Sequence, residues 1–208
     1  MAITARTAGE CFTRFKDHVG PLVDKLVPTD CIIQCPKLTR QDEQRTLRFV
    51  NPEHRNAVPL ESAHGRLYLY LAQELRAEQQ EGGQFRLRTV KYWYKIYDRS
   101  PAEQDDAIIR WEYEAQKTPW SRHSRHHVQF GQMVPSIPLG ASGAHAFNLT
   151  RLHMPTGWVL MEEVFRFLIH DLGVVPPCGT EWPKVIHDSE DAFYSGFTSR
   201  GGRGKLPP

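Results

Sequence analysis

The chain has 208 residues, of which 40% are apolar and 24% charged, and its formal net charge is +2. This size and composition suit a folded protein with a full hydrophobic core and exclude a chain that is disordered throughout. A net charge of +2 is too small to indicate nucleic-acid binding by itself, so such a function would need a local cluster of basic residues.

The sequence predicts a cytoplasmic protein with no membrane association. Residues 1–12 contain no apolar stretch of the length, about seven residues or more, that a secretory signal requires. No part of the chain approaches the ~18–20 apolar residues needed to span a bilayer.

Apolar residues at helical spacing over 11–27 predict an N-terminal helix, kinked or divided at Gly20-Pro21. Residues 30–35 and 46–50 predict two short strands. Leu67, Leu71 and Leu75 recur at every fourth position and predict a middle helix over 66–80 that ends at Gly82-Gly83.

The clearest strand pattern follows the middle helix. Over 88–98, aromatic and β-branched residues alternate with polar ones, as on a half-buried strand. Residues 107–114 and 126–132 are two more strands, joined by short polar or proline-containing connections. Consecutive strands with short connections usually pair, so the three are expected to form an antiparallel meander.

A C-terminal helix is predicted over 157–172, with Thr156 as its N-cap and Gly173 at its end. The chain is therefore expected to be a single α+β domain over 1–187. Its central antiparallel sheet of four to six strands packs against the N-terminal, middle and C-terminal helices. Residues 188–208, rich in Gly, Ser and Pro with a few basic residues, are expected to be a flexible tail.

The connection before the third strand is strongly basic and carries an aromatic residue. We interpret Lys117, Trp120, Arg122 and Arg125 as a nucleic-acid-binding group, in which the cations contact phosphates and the indole stacks on a base. The alternative is a solvated, positively charged loop, which is what most charge runs are.

The meander also predicts a site for chemistry. Arg110 and Glu112 share a face of the second strand. If the meander is right, either His127 and Gln129 or, alternatively, His126 lie within a strand or two of this row. In a metal-free mechanism of RNA cleavage, Glu112 and His127 would share the acid–base work and Arg110 would bind phosphate. The alternative is an exposed sheet face with cross-strand ion pairs.

Metal chemistry is not expected. His126 and His127 are adjacent on a predicted strand and would point to opposite faces, so they cannot share an ion. The cysteines are too irregularly spaced to complete a zinc site. We predict neither a metal site nor a cofactor.

The β region resembles the small TumE-like toxins of bacterial toxin–antitoxin modules. The resemblance lies in the Tyr-rich strand Lys91–Tyr97, in Arg110-Trp111-Glu112, and in His126-His127-Val128-Gln129. The family pattern has Asp at the position of Glu112 and a second His at the position of Gln129. The resemblance covers about a fifth of the chain. It implies a toxin-like protein that acts on RNA and is held by an antitoxin partner.

The leading hypothesis is a toxin-like or defence-associated, RNA-directed protein, with metal-independent ribonuclease activity as its enzymatic form. The alternative is a non-catalytic component of a bacterial accessory operon that binds nucleic acid or protein. The sequence leaves open whether the protein is an enzyme. Convergence of Arg110, Glu112 and His127 would favour the enzyme.

Overall fold

The structure, a computed structural model, describes residues 3–28, 32–34, 44–101, 106–116, 124–131, 137–139, 145–147 and 153–195. Within these ranges it contains an antiparallel sheet and three α-helices. The predicted α+β class is therefore confirmed.

The sheet is larger than the four to six strands expected. Nine strands belong to it within the described ranges: β1 (Thr4–Ala5), β2 (Ile32–Gln34), β3 (Gln44–Val50), β4 (Val58–Ser62), β5 (Gly65–Gln79), β6 (Phe85–Tyr97), β7 (Ile109–Glu114), β8 (His126–Phe130) and β11 (His153–Pro155). The strand order is β11-β8-β7-β6-β5-β3-β2, with β1 paired to β6 and β4 paired to β5. Two more strands, β9 (Ile137–Leu139) and β10 (His145–Phe147), pair with each other.

The two longest strands, β5 and β6, form a hairpin around which the other strands are arranged. Its turn contains Gly82 and Gly83 at φ 92° and 78°, which glycine adopts without a steric cost. The backbone N–H of Gln80 donates to the carbonyl oxygen of Gln84 at 2.7 Å and closes the turn. The glycines that were expected to end a helix therefore join two strands.

The prediction of a helix over 66–80 is wrong, because this segment is the strand β5. The fourfold spacing of Leu67, Leu71 and Leu75 also fits a two-residue repeat, and the buried Leu69 completes the strand alternation. The segment pairs with β6 on one side and with β3 and β4 on the other. This pairing overrides the helical preference of its Leu, Ala, Gln, Glu and Arg residues.

The predicted meander is confirmed. Strands β6, β7 and β8 are consecutive antiparallel neighbours, and their bounds agree with the predicted ranges 88–98, 107–114 and 126–132 within a few residues. The two short N-terminal strands also exist, as β2 and β3.

Helix α1 (Ala8–Leu26) begins after Thr7, whose Oγ1 accepts a hydrogen bond from the backbone N–H of Glu10 at 3.1 Å. It is one continuous helix with Pro21 inside it, so of the two predicted forms, a kinked helix or two short helices, the second does not occur. Its buried face, which includes Phe12 and Leu22, packs on the sheet.

Helix α2 (Met161–His170) begins later than predicted. The N-cap is Leu160 rather than Thr156, and the Leu160 backbone N–H donates to Oε2 of Glu163 at 3.0 Å. Gly173 follows the helix at φ 65°, as expected of the residue that ends it. Within the described ranges, no helix has the length and apolar character needed to cross a membrane.

Helix α3 spans Trp182–Ser195. The prediction that a flexible tail starts at residue 188 is therefore wrong, because residues 188–195 are helical. Val185, Ile186 and Ser189 are buried, and the helix packs against α1 and α2. Val185 and Ile186 precede residue 188, so the segment predicted as a tail contains few apolar residues that could mark the helix. Residues 196–208 of the predicted tail lie outside the described ranges.

The helices pack on one face of the sheet, which we call the helix face; the opposite face is the far face. Tyr92 and Tyr94 of β6 lie in the core on the helix face, together with apolar residues from all three helices. The alternate residues Lys91, Trp93 and Lys95 are partly exposed and belong to the far face.

Gly131, at the end of β8, provides a stability test. A Cβ atom at this position would lie 1.9 Å from the carbonyl oxygen of Ala107, a clash with backbone that no rotamer change relieves. We expect Gly131→Ala to lower the free energy of unfolding by about 2 kcal/mol or more in urea denaturation.

The matched control is Gly157→Ala, where a Cβ atom meets nothing within 4 Å and the backbone φ is not positive. The same chemical change should there leave the free energy of unfolding unchanged or raise it by up to about 1 kcal/mol, because alanine restricts the unfolded chain more than glycine does. Equal effects of the two substitutions would contradict the close backbone contact at Gly131.

Candidate active site

The three residues predicted as catalytic lie together on the far face of β7 and β8. Arg110 and Glu112 point to this face because Trp111, between them, packs against the core. The antiparallel register places His127 directly opposite Glu112 and Gln129 opposite Arg110. Three residues distant in the sequence are thus neighbours on one surface.

Glu112 and His127 form a largely buried side-chain contact. Nε2 of His127 lies 3.5 Å from Oε2 of Glu112, and the side chains are 7% and 26% exposed. The other ring nitrogen, Nδ1, lies 3.2 Å from the backbone carbonyl oxygen of Ser124. Because this carbonyl oxygen can only accept, Nδ1 carries a proton, and the imidazolium is the form that donates to both oxygens.

Hydrogen bonding to His127 lowers the pKa of the Glu112 carboxyl. Partial burial opposes this effect, and the positive charges of Arg110 and Lys95 add to it. Glu112 is therefore ionised in neutral solution, which is the state of a group that accepts a proton.

Arg110 is held by the residue opposite it. Its Nε donates a hydrogen bond to Oε1 of Gln129 at 3.0 Å. Lys95 of β6 lies on its other side in the register. The bond to Gln129 uses only Nε, so the Nη groups provide further donors in the geometry that suits a phosphate.

The β6 residues of the far face extend this surface. Trp93 is opposite Glu112 in the register, and Nζ of Lys91 lies 2.7 Å from Oε1 of Glu114. An indole and two further ammonium groups therefore lie beside the carboxylate, imidazole and guanidinium. Such a surface can contact both the phosphates and the bases of a nucleic acid.

Of the four predicted binding residues, the structure places one. Lys117, Trp120 and Arg122 lie outside the described residues. Arg125 is exposed immediately before β8, and its carbonyl oxygen accepts a hydrogen bond from the backbone N–H of Glu114 at 3.2 Å. A cation therefore lies two residues from His127 in the chain.

His126 points to the helix face, so the prediction that the adjacent histidines face opposite ways is confirmed. Its ring stacks on Tyr113 with centroids 4.3 Å apart, and the ring of Trp158 lies 5.3 Å away. Burial lowers the pKa of His126. Within the described part of the chain, no three His, Cys, Asp or Glu side chains are grouped so that they could hold a metal ion.

The aromatic cluster around His126 was not predicted. The Tyr92 hydroxyl lies 3.4 Å from Nδ1 of His126 and accepts a hydrogen bond from the Val159 backbone N–H at 3.3 Å. Burial raises the pKa of Tyr92 to about 12. The cluster depends on Trp158, which follows β11, and no periodicity in the sequence marks that contact.

Comparison of the chain with protein-family models, curated proteins and solved structures finds no match. The resemblance to TumE-like toxins therefore stays a prediction.

The Glu112–His127 pair predicts a pH-dependent contribution to stability. The pKa of Glu112 is lower in the folded than in the unfolded state, so its stabilising effect is fully present above the unfolded value. It is lost as the pH falls through the folded value. At pH 7 we expect Glu112→Gln to lower the free energy of unfolding by about 1–2 kcal/mol, as for a hydrogen bond to a charged group.

The measurement is urea denaturation of both proteins between pH 7 and pH 2.5, where the difference should shrink toward zero at the acidic end. Glu114→Gln is the matched control. Its pair with Lys91 is more exposed, with 41% of the Glu114 side chain accessible, so we expect about 0–1 kcal/mol. A Glu112→Gln effect that stays constant down to pH 2.5 would contradict the proposed ionic origin.

Proposed function

We propose that the protein is a toxin-like, RNA-directed, metal-independent ribonuclease with its active site on the far face of β7 and β8. The observation that carries the proposal is the juxtaposition of Glu112, His127 and Arg110. Together they provide an ionised carboxylate, an imidazolium and a guanidinium, the three functions that cleavage of RNA by its own 2′-OH requires.

In the proposed reaction, the Glu112 carboxylate takes the proton of the 2′-OH while the 2′ oxygen attacks the adjacent phosphorus. The bond from phosphorus to the 5′ oxygen breaks, and His127 gives its Nε2 proton to that oxygen. The products are a 2′,3′-cyclic phosphate and a 5′-hydroxyl. Arg110 stabilises the charge that develops on the phosphate oxygens.

The direct contact between Glu112 and His127 has two consequences in this mechanism. The substrate phosphate must enter between the two side chains, and as an anion it replaces the carboxylate as a partner of the imidazolium. After cleavage, Glu112 holds a proton and His127 has lost one. When the pair closes again, proton transfer across the 3.5 Å contact restores the starting state.

Binding would depend on the cations around this site. Lys95 and Arg110 are adjacent in the register, and Arg125 lies at the entry to β8. Lys117, Trp120 and Arg122 of the basic connection are proposed to bind RNA as well. Cations away from the scissile bond attract the polyanion, whereas the catalytic groups must touch it.

A specific observation also favours the non-catalytic alternative. Several polar side chains of the far face already have partners within the free protein, since His127 faces Glu112, Lys91 faces Glu114, and Arg110 donates to the neutral amide of Gln129. A surface that holds RNA or a protein partner without chemistry would show the same pairs. Binding without cleavage would identify this function.

The decisive experiment is incubation of the purified protein with a single-stranded RNA oligonucleotide in EDTA. We expect cleavage that leaves cyclic phosphate ends, and no cleavage of an oligonucleotide with 2′-deoxyribose at every position. His127→Ala should leave the affinity for RNA nearly unchanged and lower the cleavage rate by about 10²–10⁴-fold, the usual size of an acid–base contribution.

His126→Phe is the matched control, since it changes the neighbouring histidine on the opposite face and keeps a ring for the stack with Tyr113. It should retain the cleavage rate. A toxin-like function further predicts growth arrest on expression that His127→Ala abolishes. Loss of activity in both variants alike, or cleavage of the all-deoxy oligonucleotide, would contradict the proposed mechanism.

The contribution of the basic residues to RNA binding can be tested separately from cleavage. Arg122→Ala combined with Arg125→Ala should weaken RNA binding and reduce the slope of log affinity against log salt by about 1–2, because fewer counterions are released. Fluorescence anisotropy at several salt concentrations measures both. An unchanged salt slope would show that these arginines do not contact phosphates.

A further inference from the structure

The far face continues beyond the proposed active site, across β6 and β5 to β3. Strand pairing aligns its side chains in rows that run across the strands. The first row is Tyr70, Lys95, Arg110 and Gln129, the second row is Arg48, Ala72, Trp93, Glu112 and His127, and the third row is Thr46, Glu74, Lys91 and Glu114. Neighbouring strands lie about 4.8 Å apart, so the second row extends about 19 Å from β8 to β3.

The first two rows carry three cations that have no carboxylate partner. Within the described ranges, Arg48, Lys95 and Arg110 form no ion pair. Nζ of Lys95 lies 5.9 Å from the centroid of the Tyr70 ring. Burial raises the pKa of the Tyr70 hydroxyl, and the positive charge of Arg48 opposes this effect. The two rows contain one carboxylate, Glu112, so their surplus of positive charge matches a polyanion.

Two aromatic side chains lie among these cations. Tyr70 and Trp93 are partly exposed and occupy adjacent strands and adjacent rows. Ala72 lies between Trp93 and Arg48 in the second row, so no bulky side chain of that row separates the indole from the guanidinium. Aromatic rings on a sheet face stack on the bases of an unpaired strand, whereas a double helix covers the faces of its bases. These two rows therefore favour a single strand over a duplex.

The third row has the opposite charge. Glu74 and Glu114 lie on either side of Lys91 in the register, and Nζ of Lys91 lies 2.7 Å from Oε1 of Glu114. With two carboxylates and one ammonium group, this row repels phosphates. A nucleic-acid strand is therefore expected to cross the β-strands along the first two rows rather than to run parallel to the β-strands.

We propose that the first and second rows bind an unpaired RNA strand that extends from the proposed active site toward β3. Trp93 and Tyr70 stack on bases, and Lys95 and Arg48 contact phosphates. A span of about 19 Å holds more than one nucleotide, so the surface recognises a strand of several nucleotides rather than a single phosphodiester. This inference rests on the proposed ribonuclease function, although the contacts that it adds lie on β3, β5 and β6.

The experiment measures binding of a labelled RNA dodecanucleotide whose 2′ oxygens are all methylated, so that it binds but cannot be cleaved. By fluorescence anisotropy, the full chain should bind this single strand about tenfold or more tightly than the same strand annealed to its complement. It should prefer the single strand by a similar factor to an abasic strand of the same length and charge. Equal affinity for the duplex or for the abasic strand would overturn the proposal, because charge alone would then explain binding.

Substitutions separate the two kinds of contact. Arg48→Ala should weaken binding of the single strand and reduce the slope of log affinity against log salt by about 1, as for one lost phosphate contact. Trp93→Ala should weaken binding by about tenfold and leave the slope unchanged, because a stacked base releases no counterion.

The control variant is Arg166→Ala on α2, which removes a cation with a 46% exposed side chain from the helix face. It should change neither the affinity nor the slope. Unchanged affinity in both Arg48→Ala and Trp93→Ala, or an equal loss in Arg166→Ala, would contradict the proposed contacts. The comparison of the three ligands on the unmodified protein decides the proposal even if a variant does not fold.

Cleavage of unmodified RNA distinguishes this proposal from the proposed function. We expect kcat/KM for the dodecanucleotide to exceed that for a dinucleotide, which reaches only the active site, by about tenfold or more. Equal values for the two substrates would overturn the extended site and leave the ribonuclease function standing. Preferential binding of the methylated single strand, with no cleavage of either substrate, would overturn the ribonuclease function and support the strand-binding surface.

Discussion

The register of the β5–β6 hairpin is the constraint on which the rest of the structure depends. The strands pair from Tyr68–Tyr97 at one end to Gln79–Phe85 at the other, with one irregularity after Glu74. Because successive residues of a strand point to opposite faces, a slip of one residue would exchange the two faces of β6. The tyrosines of the core would then face outward and the lysines would be buried. The burial of Tyr94 therefore also decides which side chains the far face presents.

The register continues through β7 and β8 and places their alternate side chains on opposite faces of the sheet. On β8, His126 enters the aromatic cluster of the helix face, while His127 joins Glu112 on the far face. The same separation puts the cleft lined by Gln73, Tyr94 and Glu162 on the face opposite the proposed active site. Two adjacent residues of identical type thus have unrelated environments, and only the strand geometry distinguishes them.

A pair such as Glu112–His127 is not needed to stabilise the fold, since apolar residues at the same positions could do so equally well. A partly buried ion pair gains Coulomb energy but loses the hydration of both groups, and apolar residues of similar size often stabilise a fold as well. The position of the Glu112–His127 pair on the far face, opposite the main core, is consistent with the proposed catalytic role.

The sequence by itself determined the α+β class and the meander, whereas the register of β7 and β8 decided that His127 rather than His126 joins Arg110 and Glu112. The class and the meander depend on two-residue alternation and on local pairing, which strands with short connections display directly. It could not identify β5, because leucines at every fourth position satisfy both helical and strand periodicity and only pairing with three other strands decides between them. Nor could it place Gln73, Tyr94 and Glu162 around one cleft. Those contacts join β5, β6 and α2, and they exist only after the helices have packed on the sheet.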